Sequence, residues 1–328
     1  MSQSNTLTQA ETDPKIFLQV RNFLKVLNSG NGKPIEQLSP ADARAVLVNA
    51  QKSVAVDYSG IEESVRIIAQ DGLTVKIVIV KPSGAEPNAP VFIFVHGGGW
   101  VLGDYPTHKR LVRDLVVESG AVAVFPEYTP SPEARYPEAI NQIYAATKWV
   151  SLKGSEIGVN GKNLAIVGNS VGGNMAAAVA LMAKDKKGPE LKLQVLLWPV
   201  TDANFETDSY ASFGVGRFLT RKMMIWFWNN YLPDPATRKE IYASPLQATF
   251  EQLKGLPPAL IQTAENDVLR DEGEAYARKL DEAGVPVTLT RIGGLIHDYG
   301  LLNPIANVPA VKIALLHAAA SIKKSLRG

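Results

Sequence analysis

The sequence predicts an α/β protein whose central sheet, mostly parallel, is covered by helices on both faces. Three observations carry that prediction. Runs at 91–95, 121–125, 164–167 and 193–198 are apolar on both faces, as strands buried between two helical layers must be. Helical stretches alternate with them from about residue 64 onward, the order that yields a parallel sheet. Segments rich in glycine and polar groups follow the strands, and such sheets keep their functional loops at strand carboxyl ends.

Helices are expected at 15–27 and 40–52, separated by the turn Gly30-Asn31-Gly32-Lys33-Pro34. Residues 74–80 alternate as a half-buried strand, and 91–95 form a central one. Next comes His96-Gly97-Gly98-Gly99-Trp100, where no side chain shields the backbone N–H groups of three successive glycines. The run matches neither a dinucleotide fingerprint nor a Walker-type loop, so phosphate is not its expected ligand. Unshielded N–H groups also suit a carbonyl oxygen under nucleophilic attack, where negative charge develops. A plain flexible loop is the alternative. His108-Lys109-Arg110 reads as the exposed start of a helix through Leu111, Val112, Leu115 and Val116.

The strand at 164–167 runs into Gly168-Asn169-Ser170-Val171-Gly172, and an alanine-rich helix follows. So tight a turn from strand to helix leaves no space for side chains beside the serine. It holds the hydroxyl above the sheet, near the unpaired N–H groups of a helix N-terminus. G-x-S-x-G alone is weak evidence. Preceded by a histidine and three glycines, with each motif closing a buried strand, it marks a nucleophile.

A serine nucleophile needs a base, and the chain has four histidines. His96 lies inside the glycine loop and is expected to shape it, His108 sits on a helix start, and His317 belongs to a C-terminal helix. His297 follows the alternating strand 287–292 and Gly293-Gly294, on a loop fixed by the sheet, and is the expected base. Asp267, just after the strand 258–264, is the expected acid. Asp271 and Glu272 are expected to cap the helix through Ala275, Tyr276 and Leu280, and Glu265 and Asp298 are lesser rivals. The chain order Ser, Asp, His differs from both serine-protease orders.

These segments resemble the bacterial hormone-sensitive-lipase-like, or family IV, esterases over most of the chain. The resemblance rests on residues 96–100 and 168–173, on Ala264-Glu265-Asn266-Asp267-Val268-Leu269-Arg270-Asp271-Glu272-Gly273, and on Gly294-Leu295-Ile296-His297. Glu127-Tyr128 followed by Pro132-Glu133-Ala134-Arg135-Tyr136-Pro137 adds to it. It implies an α/β-hydrolase fold and a serine carboxylesterase for short-to-medium-chain acyl esters, with Ser170 as nucleophile, Asp267 as acid and His297 as base. It also implies an oxyanion hole made by the N–H groups of Gly98, Gly99 and Val171. Four positions depart from the family pattern: Asn169 replaces an acidic residue, Val171 an alanine, Asp298 a glycine and Thr129 an arginine. The triad serves amides as well as esters, so an amidase or peptidase is the alternative. A non-catalytic small-molecule receptor on the same fold is another, although such receptors tend to lose the base.

Residues 56–200 and 246–328 are expected to form the catalytic core, while 1–55 and 201–245 fall outside the alternation and are expected to build a helical cap. Within the second cap segment, the aromatic-rich run 223–232 either packs on the core or roofs the acyl pocket, with Arg217 and Phe218 at its mouth and Trp100 against the substrate. The 328 residues, 46% of them hydrophobic, suffice for a large core. Lys and Arg number 34 against 32 Asp and Glu, and a net charge of +2 gives no reason to expect nucleic acid or a membrane surface as partner. Absence of cysteine excludes disulfides, thiolate metal sites and a cysteine nucleophile. No cofactor or metal is called for. Residues 1–14 lack the features of a secretory leader and no apolar run reaches spanning length, so no membrane anchor is expected and the cytoplasm is the expected setting. The expected partner is a small-molecule ester, and a homodimer is the one assembly kept in view.

Overall fold

The computed structural model describes residues 9–326; part of the segment read as leaderless, residues 1–8, lies outside the described residues. Eight strands form one sheet: β1 (Ile61–Gln70), β2 (Leu73–Pro82), β3 (Ala89–Val95), β4 (Val122–Glu127), β5 (Val159–Asn169), β6 (Gln194–Leu197), β7 (Ala259–Asn266) and β8 (Val287–Ile296). Their order is β1-β2-β4-β3-β5-β6-β7-β8. Pairings from β4 to β8 are all parallel, and those of β2 with β1 and β4 are antiparallel. β1 was not among the predicted strands. Its signal was the pair Asp71-Gly72, whose φ values of 51° and 79° are those of a two-residue hairpin turn.

The helices are α1 (Leu18–Asn28), α2 (Pro40–Lys52), α3 (Tyr105–Ser119), α4 (Glu138–Lys153), α5 (Val171–Asp185), α6 (Asp208–Phe213), α7 (Arg221–Tyr231), α8 (Phe250–Leu253), α9 (Arg270–Glu282) and α10 (Pro309–Leu326). Alternation along the strands divides them between two cores. Val91, Ile93 and Val95 of β3 face the layer of α4, α5 and α9, whereas Phe92 and Phe94 face that of α1, α3 and α10. α2 starts at Pro40, where proline suits the first helical position and Ser39 Oγ accepts the Asp42 N–H. α1 starts three residues later than expected. The backbone of the preceding residues is used elsewhere: Ile16 pairs with Gly294 at the end of β8, and the Phe17 N–H donates to Gly294 O at 3.0 Å.

α6, α7 and α8 occupy the long connection between β6 and β7. α7 is amphipathic: Met223, Met224, Phe227, Trp228 and Tyr231 are buried at helical spacing, while Arg221, Lys222 and Asn229 are exposed. Among the described residues no helix is long and apolar enough to cross a membrane.

The sheet and α5 meet most closely at the turn after β5. A Cβ on Gly172 would lie 2.0 Å from Val95 O, inside any permitted contact. Gly172→Ala is therefore expected to cost about 3 kcal/mol, at the upper end of overpacking effects. Urea unfolding measures it, and wild-type stability would contradict the close approach.

Candidate active site

Three strand ends converge at one place. β5 ends at Asn169 and α5 begins at Val171, leaving Ser170 between them at φ 54°, a strained left-handed conformation for a residue with a side chain. Backbone bonds hold it there: the Ser170 N–H donates to Leu197 O at 2.9 Å, and Ser170 O accepts from Asn174 and Val200, both at 3.1 Å. Ser170 Oγ lies 2.9 Å from His297 Nε2, and His297 Nδ1 lies 2.7 Å from Asp267 Oδ2. The second Asp267 oxygen, Oδ1, accepts the Leu269 N–H at 3.0 Å, so both carboxylate oxygens are engaged. All three side chains are buried.

The glycine loop follows β3 beside them. Gly98 and Gly99 have φ values of 105° and 64°, and a Cβ on Gly99 would meet the Phe227 ring of α7 at 2.1 Å. Among the described residues, neither N–H finds a protein acceptor. Val171, first residue of α5, contributes another N–H without an intrahelical partner. The loop is tied to the serine turn, because Asn169 Oδ1 accepts the Gly97 N–H at 3.0 Å.

His96 shapes this loop, its Nδ1 lying 2.8 Å from Gly97 O and its ring stacked on Tyr128 with centroids 4.2 Å apart. Burial lowers its pKa to about 4, leaving it neutral. His108, expected at an exposed helix start, is wholly buried, with its ring 5.2 Å from that of His96. The reason is register: α3 begins three residues earlier, at Tyr105, under a capping box from Asp104 and Thr107, and this turns His108 inward. His317 is half-buried on α10.

Asp271 and Glu272 do not cap their own helix. Asp271 Oδ2 accepts the Ser209 N–H of α6 at 2.7 Å, and Glu272 Oε1 accepts the Thr201 N–H at 2.7 Å. They tie α9 to the connection after β6. Burial holds the Glu272 carboxyl well above the usual carboxylate range. Glu265 Oε2 accepts the Gly294 N–H at 2.8 Å.

Of the three residues expected to touch substrate, Phe218 is half-buried beside Phe23 of α1. Trp100 is 1% exposed, stacked on Tyr231 of α7 with centroids 4.3 Å apart and set against Trp228. Arg217 is corrected outright: instead of standing at a mouth it is buried, donating to Asp13 Oδ2 at 2.8 Å and Asn266 Oδ1 at 3.2 Å. A buried guanidinium takes the nearest carboxylate, and the sequence separation of that partner hid it.

Sequence reasoning undervalued Asp298. This residue, at φ 57°, directs Oδ2 to within 3.7 Å of His297 Nε2, while its Oδ1 accepts Trp198 Nε1–H at 2.7 Å and Asn169 Nδ2–H at 3.2 Å. The acid missing before Ser170 thus has a counterpart after His297, and Asn169 bonds to it. Burial raises the Asp298 pKa, against the opposing pull of His297, Trp198 and Asn169. For His297, burial lowers the pKa, but the charges of Asp267 and Asp298 outweigh it and leave the imidazole above its usual value.

A family described as alpha/beta hydrolase fold matches residues 92–301. The chain belongs to the α/β-hydrolase fold family. It is 35% identical over 323 residues to carboxylesterase NlhH of Mycobacterium tuberculosis, spanning 98% of each chain. It is 31% identical over 292 residues to ethyl acetate hydrolase of Pseudomonas putida, spanning 86% of this chain and 91% of the relative. Superposed on the crystal structure of a thermostable esterase from Pseudomonas putida ECU1011 it gives a TM-score of 0.95 at 62% identity, over 96% of this chain and 98% of the other. Within the family it stands with the hormone-sensitive-lipase-like esterases and is a carboxylic-ester hydrolase.

Asp298 and Asp267 both raise the His297 pKa, so removing the Asp298 charge must lower it. Asp298→Asn, which keeps an acceptor for Trp198, is expected to move the acid limb of the kcat/KM profile to lower pH. An unmoved limb would show that the carboxylate does not act on the imidazole.

Proposed function

We propose that the protein hydrolyses short-to-medium-chain acyl esters with Ser170 as nucleophile, His297 as general base and acid, and Asp267 as the group that orients and stabilises the imidazole. The observation that carries this reading is the imidazole bridging Ser170 Oγ at 2.9 Å and Asp267 Oδ2 at 2.7 Å. His297 Nε2 takes the Ser170 Oγ proton as Oγ bonds to the ester carbon and the carbonyl π pair moves onto oxygen. The N–H groups of Gly98, Gly99 and Val171 receive that oxyanion. Collapse restores the carbonyl and breaks the bond to the alcohol oxygen, which leaves with the proton from Nε2. Water then repeats the sequence on the acyl-enzyme, giving its proton to Nε2 and its oxygen to the released acid, and the proton returns to Ser170.

The role of cap belongs to the N-terminal helices and the connection carrying α6 and α7, with α7 lying on the oxyanion loop through Phe227 and Gly99. Val171 is wholly buried, in the apolar cluster that also holds Trp100 and Phe227. Each methylene of an acyl chain gains about 0.8 kcal/mol on burial until the enclosed space is filled, after which the chain must displace the cap.

Ser170→Ala should remain folded and lose on the order of 10⁵ to 10⁶ in kcat, as other triads do without their nucleophile. Turnover within tenfold of wild type, in protein free of host esterase, would rule the assignment out. Across nitrophenyl esters from acetate to palmitate, kcat/KM should peak at about two to six acyl carbons, the range that the family resemblance implies, each buried methylene up to that length adding about 0.8 kcal/mol. A maximum at twelve carbons or beyond would mean a more open pocket.

A further inference from the structure

Arg217 leads to a feature outside the triad. Its guanidinium and the Asp13 carboxylate form an ion pair at 2.8 Å with side chains only 5% and 7% exposed, although 204 residues separate them in sequence. The other arm of the guanidinium donates to Asn266 Oδ1 at 3.2 Å. Asn266 in turn donates from Nδ2 to Lys15 O at 3.3 Å and to Leu295 O at 3.4 Å. The N-terminal segment, the loop before α7 and the ends of both β7 and β8 therefore meet at one side-chain amide.

Strand register makes this position consequential. Asn266 of β7 pairs with Ile296 of β8, and these are the residues directly before Asp267 and His297. The pairing is irregular between Ala264 and Asn266, so the ladder alone does not fix the last residues of β7. Two further links tighten the same corner: Ile16 pairs with Gly294, and Asn28 of α1 donates to Gly216 O at 3.0 Å, next to Arg217.

We propose that the buried Asp13–Arg217–Asn266 cluster is a positioning device: it makes the N-terminal segment part of the catalytic centre by holding the Asp267 and His297 loops at bonding distance. The proposal rests on the triad reading above. All three are positioning residues, since none touches the reacting atoms. Arginine suits the task because its planar fork binds a carboxylate and an amide at once, which a lysine ammonium cannot do in that geometry.

The test uses the full chain. Removing either charge leaves the other buried and unpaired, so Asp13→Asn or Arg217→Gln alone can fail to fold. Asn266→Ala keeps the ion pair and cuts only its link to the loops. It is expected to stay folded and to lose about tenfold to a hundredfold in kcat, with KM changed less, the usual scale for misplacing reacting groups by about 1 Å. The acid limb of its kcat/KM profile should also move to lower pH. Two carboxylates, Asp267 and Asp298, face the imidazole, and a slack Asp267 loop weakens the first of them. Where the charge variants fold, the double variant Asp13→Asn/Arg217→Gln should be no slower than the slower single one, because the two act as a unit. Wild-type kcat and an unmoved acid limb in folded Asn266→Ala, with Ser170→Ala inactive, would overturn the proposal alone. An active Ser170→Ala would instead strike at the triad reading.

Discussion

The active centre depends on how little space separates β3, β5 and the start of α5. At Gly172 the helix backbone lies against the last carbonyls of β3, and nothing larger than hydrogen fits between them. That contact forces the chain to reverse within one residue, and Ser170 takes the strained φ of 54° that results. The same geometry delivers two other components. It brings Val171 N–H to the head of α5, and it sets Asn169 where its side chain bonds the Gly97 N–H and so registers the glycine loop against the serine. Ser170 and the neighbouring backbone N–H groups are thereby arranged by backbone packing before any side chain chooses a rotamer.

Electrostatics act on top of that frame. His297 is buried, which by itself would weaken it as a base, and two carboxylates reverse the effect. Asp267 does so through a direct bond on Nδ1, Asp298 by charge from the side of Nε2. The first also favours the tautomer that carries the proton on Nδ1 and turns the Nε2 lone pair to Ser170 Oγ. Asp298 is held in turn by Trp198 and Asn169, so residues at the ends of β5 and β6 bear on the basicity of a group carried after β8.

The connection between β6 and β7 is bound to the core by chemistry rather than draped across it. Phe227 covers Gly99, Trp100 stacks between core and α7, and Asp271 and Glu272 accept N–H groups from the segment after β6. Movement of α7 would therefore be felt at the glycine loop after β3.

Much was legible in the amino-acid order because it depends on local rules. Apolar runs announced the buried strands, three glycines announced unshielded N–H groups, and small residues around Ser170 announced a turn only they can make. Elimination among four histidines picked the one whose Nε2 lies beside Ser170 Oγ, because a loop following a strand differs visibly from a helix. What failed depended on contacts between distant segments. His108 was turned inward by a helix start shifted three residues, a matter of capping and packing together. Asp271 and Glu272 stand in the first turn of their own helix, where acidic residues are usual, yet found N–H donors on another segment. Arg217 found Asp13, and Asp298 found His297 Nε2, at distances that local pattern does not encode. Sequence by itself determined which backbone conformations each segment can adopt, since those follow from the size and polarity of adjacent side chains. Only the tertiary structure decided which buried charges and amides meet, because a polar group removed from water bonds to the nearest partner in space, and nearness in space is set by the whole fold.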